Sequence, residues 1–352
     1  MQKRWNSREE FEKDMHQKYN GQRLKGLELF NANGDVAVDS VAYQYTMDRL
    51  SFIRQKTIEQ TFYTVAPADY LPVIVGEGSF AQNIISNMSI KTSGGFKAGK
   101  LNTGNHNSKV NVADAMLVPK TTYIENWALG CEYTIFDVNQ SLFSGNWDIV
   151  EAKHRARKMD WDLGIQDVAF IGDIDQLTKF PGLLTQDTSS VVNINTALIT
   201  KKISAMSTTE FAALVAGLIA AYQTNCNQTR FPNVFVMPQD DYVGLAVPVS
   251  ETYPMNSKLE YLKNAFNAIV PGGVKILPSA YGMAAYNTAA GVNKARYALY
   301  RDDIDTLFME IPVNFTPTAA GTLNNFNFQD IAYGQYSGVT VMKPLEVLYL
   351  QY

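Results

Sequence analysis

Residues 146–172 read NWDIVEAKHRARKMDWDLGIQDVAFIG and predict one long helix. Ser144 or Asn146 is suited to cap its start, because a short side-chain oxygen accepts from the free N–H groups of the first turn. Gly172 is suited to end it. At about 1.5 Å per residue, this helix is roughly 40 Å long. Its apolar residues recur in steps of three and four, the period of one helix face: Ile149, Ala152, Ala156, Met159, Leu163 and Phe170. Further apolar residues are expected to widen the buried side: Trp147, Val150, Trp161, Ile165 and Val168.

The same stretch carries a group of basic residues, and an apolar segment follows at its C-terminal end. Four basic residues fill the side opposite the apolar face: Lys153, Arg155, Arg157 and Lys158. Taken alone, this is the pattern of an ordinary amphipathic helix, with Arg155 and Arg157 as candidate contacts to a partner. The exit is apolar at 168–171, and a short loop leads to PGLL at 181–184.

The first 75 residues predict an N-terminal arm. Ser7, followed by Glu10, matches a capping box that opens a short helix, and Ser40 is suited to cap a second one. Too few apolar residues are present for a separate core, so the segment must lie on something else. A loosely packed extension and an intersubunit arm both fit. In the second case, Arg49 and Arg54 are candidate contacts.

Residues 76–130 predict an extended β-hairpin. Period-two apolar patches indicate two strands, which meet at a polar tip near 94–107. Arms of about 15 to 20 residues would reach roughly 50 to 65 Å, whereas a compact chain of this length has a radius of gyration of about 20 Å. We therefore expect the hairpin to lie on a neighbouring subunit, with Lys91, Lys97 and Lys100 as candidate contacts.

The hairpin tip contains a motif that resembles a phosphate-binding loop. Residues 94–100 read GGFKAGK and fit G-x-x-x-x-G-K. A true P-loop continues with Ser or Thr and joins a strand to a helix N-terminus. Leu101 follows here, and both flanks are polar. A phosphate- or nucleotide-binding enzyme is therefore a distant alternative to a basic loop tip.

The remaining residues divide into three predicted parts. Residues 131–200 hold the long helix, and a strand at 128–138 is expected to lead into it. Residues 201–300 alternate helices and strands, which indicates an α/β lobe; in this lobe Ser207 is suited to cap a helix that reaches about Tyr222. Residues 301–352 predict strands, the last of which we expect to return to the sheet beside the long helix.

The composition argues against several classes of protein. Charged residues make up 18% of the 352, against about 25% in typical soluble domains, which fits either extensive covered surface or a neutral globule. The net charge of −4 argues against a basic footprint for duplex DNA. Two distant cysteines exclude a disulfide framework and a zinc finger. Neither a membrane span nor a secretory signal is predicted.

No catalytic, cofactor or metal site is predicted. His16, His106 and His154 lie far apart in sequence and have no neighbours at metal-ligand spacing. The common nucleophile, zinc-protease and dinucleotide motifs do not occur. The expectation therefore moves from an enzyme toward a structural protein.

The order of these parts resembles the major capsid proteins of tailed bacteriophages with the HK97-type fold. The resemblance rests on the long helix with its apolar-Phe-Ile-Gly exit and on the Gly-Leu-Leu that follows at 182–184. It also rests on MEIP at 309–312 and YSGVTVMKPL at 336–345, which are similar to the family's ending, Ile-Pro … Gly-Val-x-Val-x-x-Pro. It covers the chain from about residue 75 to 352.

The resemblance implies an α+β fold in five parts. They are an N-arm at 1–75, an extended loop at 76–130, a peripheral domain at 131–200 with its spine helix at 146–172, an α/β axial domain at 201–300, and peripheral return strands at 301–352.

The implied function is that of a shell protein without catalysis or cofactors. Its pentamers and hexamers would enclose packaged double-stranded DNA, contacted weakly on the inner face. Scaffold, portal and decoration proteins are further implied partners. The implied location is the virion, after assembly in the cytoplasm of the host bacterium. An encapsulin-type bacterial nanocompartment, which has the same fold, is the nearest alternative.

Overall fold

The computed structural model describes residues 62–93, 114–144, 149–189, 192–250, 256–324 and 326–352. Its α-helices are α1 (Ile135–Ser144), α2 (Ile149–Phe170), α3 (Thr208–Asn225), α4 (Gln239–Gly244), α5 (Lys258–Ile269) and α6 (Ala284–Asn287). Its strands are β1 (Val73–Val75), β2 (Asn83–Ser93), β3 (Asp114–Thr134), β4 (Asn193–Asn195), β5 (Val234–Pro238), β6 (Lys275–Ser279), β7 (Arg296–Tyr300), β8 (Leu307–Ile311), β9 (Val313–Pro317), β10 (Gly321–Asn324), β11 (Asn327–Ser337), β12 (Val339–Val341) and β13 (Val347–Gln351).

Several predicted features lie outside the described residues. They are the helices of the N-terminal arm, the hairpin tip at 94–107 with its P-loop-like sequence, and the start of the long helix at 146–148. Four of the candidate contact residues lie there too: Arg49, Arg54, Lys97 and Lys100.

The described strands form three sheets. In the first, β8 is the central strand, parallel to β1 and antiparallel to β12. The second has the order β10-β11-β3-β2, and β9 also pairs with β11. The third has the order β4-β13-β7-β5-β6.

Strand β3 changes its partner halfway along. From Asp114 to Tyr123 it pairs with β2, and from Ile124 to Thr134 it pairs with β11. The two predicted hairpin strands therefore pair as expected, but they are rooted in a sheet that crosses the predicted boundary at residue 130. The 11 residues of β2 span about 36 Å at about 3.3 Å per residue.

Residues 135–138 correct the end of the strand that was predicted at 128–138. The strand ends at Thr134 and α1 begins directly after it. Thr134 and Asp137 cap this helix reciprocally: the Thr134 N–H donates to the Asp137 carboxylate (2.9 Å), and the Asp137 N–H donates to Thr134 Oγ1 (3.1 Å). Ser144 is the last residue of α1.

The long helix is confirmed as α2. Most of its burial falls on residues that were predicted to widen its apolar side, Trp161, Ile165 and Val168, together with Ala169 and Phe170. Within the predicted stripe, Ala156 is exposed, and Met159 and Leu163 are only half-buried. Burial free energy scales with apolar area, so an indole and branched side chains determine the orientation of the helix more strongly than alanines do.

The third sheet separates two hydrophobic cores. Ala298 and Tyr300 of β7 face the core that contains the buried residues of α2, and Tyr297 and Leu299 face the core formed by α3 and α5. Strand β13 alternates in the same way, so it needs a central position with both faces covered. It lies between β4, from the range predicted as peripheral domain, and β7, from the range predicted as axial domain. Its Val347 and Tyr349 face the core that contains the buried residues of α2, so the last strand returns to a sheet beside the long helix, as expected.

The predicted cap of α3 is present. The Glu210 N–H donates to Ser207 Oγ, and the Glu210 carboxylate accepts from the Ser207 N–H. The helix continues to Asn225, three residues past the predicted end.

Candidate functional site

Two of the segments that carried the sequence resemblance meet at the C-terminal end of α2. The Leu183 N–H donates to the carbonyl of Ala169 (2.7 Å), and the Leu184 N–H donates to that of Phe170 (2.9 Å). Carbonyls in the last turn of a helix have no partner inside the helix. The Gly-Leu-Leu segment therefore caps α2.

Two glycines allow this close return of the chain. Gly172 has a φ of +92°, and a Cβ there would lie 2.4 Å from the Phe180 carbonyl oxygen. A Cβ on Gly182 would lie 2.5 Å from the Gly172 nitrogen. The segment at 336–345, which also carried the resemblance, reaches the same place, because the Val339 N–H donates to the Pro181 carbonyl (2.7 Å). The motifs thus form a structural junction.

Arg157 corrects one of the candidate contacts. Its side chain is only 1% exposed, and its Nη2 donates to Asp330 Oδ2 on β11 (2.9 Å). His154 Nδ1 lies 3.0 Å from Arg157 Nη2 and 3.1 Å from the same Asp330 oxygen. A buried cation is tolerated only when it is paired. Arg157 therefore holds α2 on the sheet within the chain and is not accessible to another subunit.

The other described candidates are placed differently. The Arg155 side chain is 60% exposed and pairs with Glu151 one turn away, with 2.9 Å between Nη2 and Oε1. An exposed pair of this kind contributes only about 0.3–0.5 kcal/mol. Lys91 lies in β2, where its backbone is in register with Met116. The structure brings no two of the predicted contact residues together within its described part.

Large apolar side chains are exposed on both faces of the hairpin. Ile85 (63% exposed) and Tyr123 (43%) share one face, because their register positions belong to the same side of the pleat. Met116 (65%) lies on the opposite face of β3. Large exposed apolar side chains mark interaction surfaces when they cluster. Prediction from the sequence named only the lysines here, although the period-two alternation was a signal for these residues as well.

Phe80 precedes β2 and has an unusual backbone conformation. It is 73% exposed and has a φ of +63°, a region that bulky side chains rarely adopt. Its N–H donates to Gln335 Oε1 (2.7 Å), and its ring lies 6.4 Å from that of Tyr333. The neighbouring Gly76 and Gly78 also have positive φ. A rigid turn thus presents an aromatic ring to solvent at the base of the hairpin.

Burial shifts the pKa of several groups, but these groups lie on separate elements. It raises the pKa of the Cys131 thiol on β3, opposed by Arg157. It raises the pKa of the Glu310 carboxyl on β8, with a contribution from Glu77. It lowers the pKa of Lys258 on α5, whose ammonium donates to two backbone carbonyls. No contact joins these three groups in the described structure, so they form no catalytic constellation.

Within the described residues, no group of three or more His, Cys, Asp or Glu side chains is arranged to hold a metal ion. None of the helices in these ranges combines the length and apolar character needed to cross a membrane.

The fold is that of viral capsid subunits. The capsid of Myoviridae phage XM1 matches with a TM-score of 0.71 and 16% identity, over 86% of this chain and 97% of that one. A chain from Microbacterium phage Oxtober96 matches with a TM-score of 0.55 and 8% identity, over 90% and 99%. The capsid of a native GTA particle matches with a TM-score of 0.53 and 12% identity, over 90% and 99%.

The family follows from the sequence. Residues 100–352 match the model of the major capsid protein family. Since this range is well over half of the chain, the protein belongs to that family. No curated protein matches the chain in sequence. The predicted HK97-type α+β fold and the predicted class of protein are confirmed.

Proposed function

We propose that this chain builds the head shell of a tailed bacteriophage. Its copies form the pentamers and hexamers of a closed icosahedral shell, and the shell encloses double-stranded DNA. Membership of the major capsid protein family supports a shell protein. The observation in the structure that carries the proposal is the hairpin, because its apolar side chains are exposed on both faces, at Ile85 and Met116 among others.

A hairpin of this kind needs a partner. Covering Ile85 and Met116 would remove apolar area from water on opposite faces of the hairpin. Such burial stabilises by about 25 cal/mol per Å² of apolar area. A ribbon exposed on both faces gains this only when it lies against other chains. The lysines proposed for the hairpin, Lys91, Lys97 and Lys100, would then meet acidic groups of the neighbour. Arg49, Arg54 and Arg155 are proposed as further contacts between subunits.

The chain has a structural and not a catalytic role in this proposal. The net charge of −4 favours weak contact between the inner face and the packaged DNA. Scaffold, portal and decoration proteins are the further partners, and assembly takes place in the cytoplasm of the host bacterium. No cofactor is needed for this function.

Electron microscopy of the purified full-length protein tests the proposal. Closed angular or round shells are expected. Material from the native source then separates the proposal from its nearest alternative, since packaged DNA indicates a phage head and enzyme cargo indicates an encapsulin-type compartment. Single particles that never close, even with the phage's other head proteins present, would contradict a shell function.

Deletion of Ser93 to Asn107 tests the role of the hairpin. The subunit should remain folded, because both cores lie outside this segment, but closed shells should be lost. Normal shells from this variant would disprove the intersubunit role.

The matched point variant is Lys97→Ala/Lys100→Ala, with Lys294→Ala as the control. Lys294 is exposed and lies outside the hairpin. The single variant Lys100→Ala tests the distant alternative, a nucleotide-binding enzyme. Nucleotide binding by the parent chain, lost in Lys100→Ala while assembly stays intact, would favour that alternative.

A further inference from the structure

A glutamine of α2 binds the backbone of residues 63–65. The Val65 N–H donates to Gln166 Oε1 (2.7 Å), and Gln166 Nε2 donates to the Tyr63 carbonyl (3.0 Å). The amide of one side chain thus pairs with two backbone groups on either side of Thr64, as a peptide group of an adjacent parallel strand would. Residues 63–65 belong to none of the described strands, so Gln166 takes the place of a strand partner.

The orientation of this amide is determined by its surroundings. Gln166 Nε2 also donates to the Tyr281 hydroxyl (2.7 Å), and that hydroxyl donates to Asp167 Oδ1. Because a hydroxyl has a single proton, Tyr281 must accept from Gln166, and the nitrogen end of the amide must face it. The oxygen end is therefore left for the Val65 N–H, and the same side chain is prevented from turning its donor toward that group.

The amide is buried, whereas the segment that it binds is largely at the surface. Gln166 is 2% exposed and Tyr63 is 36% exposed. The Tyr63 ring lies edge-on to that of Tyr281, with 6.1 Å between the centroids, and its hydroxyl accepts from the Ala280 N–H at 3.3 Å. Val65 is only half-buried against the core that contains the buried residues of α2. The backbone of this segment is therefore attached mainly through Gln166.

We propose that Gln166 is the positioning residue of the predicted N-terminal arm. By holding the backbone at Tyr63 and Val65, it fixes the point at which residues 1–62 leave the rest of the chain. The importance of this point for contacts between subunits rests on the proposed shell function. Because the amide binds backbone groups only, the side chain of Thr64 can change without loosening the attachment, whereas an apolar side chain at position 166 cannot replace the amide.

A second buried glutamine provides a matched control for a purely structural role. Gln186 is also 2% exposed, and its Nε2 donates to the carbonyls of Gly182 (3.0 Å) and Val339 (2.8 Å). Gln186→Met and Gln166→Met each remove a buried amide that bridges two backbone groups, at about constant side-chain volume. Only Gln166→Met removes hydrogen bonds of residues 63–65.

Hydrogen exchange of the unassembled full-length chain tests the proposal without requiring shells. In Gln166→Met, exchange of the Val65 amide should become about tenfold faster, because both hydrogen bonds to the segment are lost. Gln186→Met and Thr64→Ala should leave this rate unchanged once urea unfolding has corrected for any difference in global stability. An unchanged rate in Gln166→Met, or an equal rise in Gln186→Met, would overturn the proposal.

A milder variant and a second readout cover the case in which Gln166→Met does not fold. Tyr281→Phe keeps the ring but removes the hydroxyl that orients the amide, so Val65 exchange should rise about threefold. Chymotrypsin, which cleaves after aromatic residues, should cut after Tyr63 severalfold faster in either variant than in the parent chain, and the mass of the fragment that begins at Thr64 identifies this cut. Parent-like exchange and cleavage in Tyr281→Phe would count against an oriented amide.

Shell yield separates this proposal from the shell function. Gln166→Met should lower the yield of closed shells severalfold relative to Gln186→Met at matched stability. Faster Val65 exchange together with a normal yield would overturn the role in assembly, because the attachment would then be dispensable. If the parent chain forms no shells, the shell function fails, while the exchange rates still decide whether Gln166 holds residues 63–65.

Discussion

The buried pair of Arg157 and Asp330 gives the sharpest prediction about the subunit. Both side chains are almost fully buried, at 1% and 3% exposure, and they join α2 to β11. Replacing Arg157 with methionine removes the cation and leaves the Asp330 carboxylate buried beside His154. Replacing Asp330 with leucine leaves the guanidinium buried without a carboxylate, with backbone carbonyls and His154 Nδ1 as its remaining partners.

The magnitudes follow from the cost of an unpaired buried charge. Removing one partner of a buried pair costs about 3–5 kcal/mol, whereas replacing both partners with apolar residues of similar volume is often neutral. Arg157→Met and Asp330→Leu should therefore each destabilise the subunit by about 3–5 kcal/mol. The double variant should recover most of that loss, so the coupling free energy between the two positions is several kcal/mol.

Urea unfolding of the unassembled subunits measures this directly. With an m-value of about 3 kcal/mol/M, each single variant should lower the unfolding midpoint by about 1 M or more, and the double variant should lie close to the parent. Strictly additive effects would refute the reasoning. A stable Arg157→Met subunit that fails only in assembly would restore the sequence-based prediction that this arginine contacts another subunit.

Three further predictions concern packing, capping and pH. Gly334→Ala should cost about 1–3 kcal/mol, because its Cβ would lie 2.4 Å from the Trp161 ring; urea unfolding and the near-ultraviolet circular dichroism of tryptophan report it. Ser207→Ala should cost about 1 kcal/mol in the same unfolding assay, through loss of the α3 cap. The Lys201 ammonium, followed by hydrogen bonds from Ser207, lowers the pKa of Glu210 from 4.5 to about 2. The resulting stabilisation is present above about pH 4.5 and is lost as the pH falls toward 2. Glu210→Gln should therefore be less stable than the parent chain at neutral pH, and the difference should disappear near pH 2 in unfolding midpoints measured across this range.

Local signals in the sequence were sufficient for the elements with strong caps and clear periodicity. Ser207 and Glu210 placed the start of α3 correctly, because a capping box needs only neighbouring residues. Gly172 indicated the end of the long helix, where a φ of +92° favours glycine. These features are determined by contacts that are close in sequence.

The errors came from contacts that are distant in sequence. Arg157 looked like a surface cation because its partner, Asp330, lies 173 positions away. The exposure of Ala156 on α2 could not be predicted either, because Trp161 packs against Gly334 and the space left by this glycine on β11 helps to select the orientation of the helix. Likewise, the pairing of β13 with β7 and β4 is not local, so the sequence could not show which strands it joins.

The candidate site was predictable only in its location. The period-two apolar patches placed a hairpin at 76–130, but they could not show which of its side chains face solvent. That depends on the register, which puts Ile85 and Tyr123 on one face and Met116 on the other. A lysine count therefore described the surface less well than the pleat does.

The described ion pairs divide by position in a way that bears on assembly. The strong pairs lie inside the subunit: Arg157 with Asp330 joins α2 to β11, and Arg296, 2% exposed, binds Asp187 through both of its terminal nitrogens. Exposed pairs such as Arg155 with Glu151 are weak and are screened by salt. Large apolar side chains are exposed at the hairpin instead. A subunit built in this way keeps its closely paired charges inside, while contacts with its neighbours can rest mainly on apolar area, which salt does not weaken.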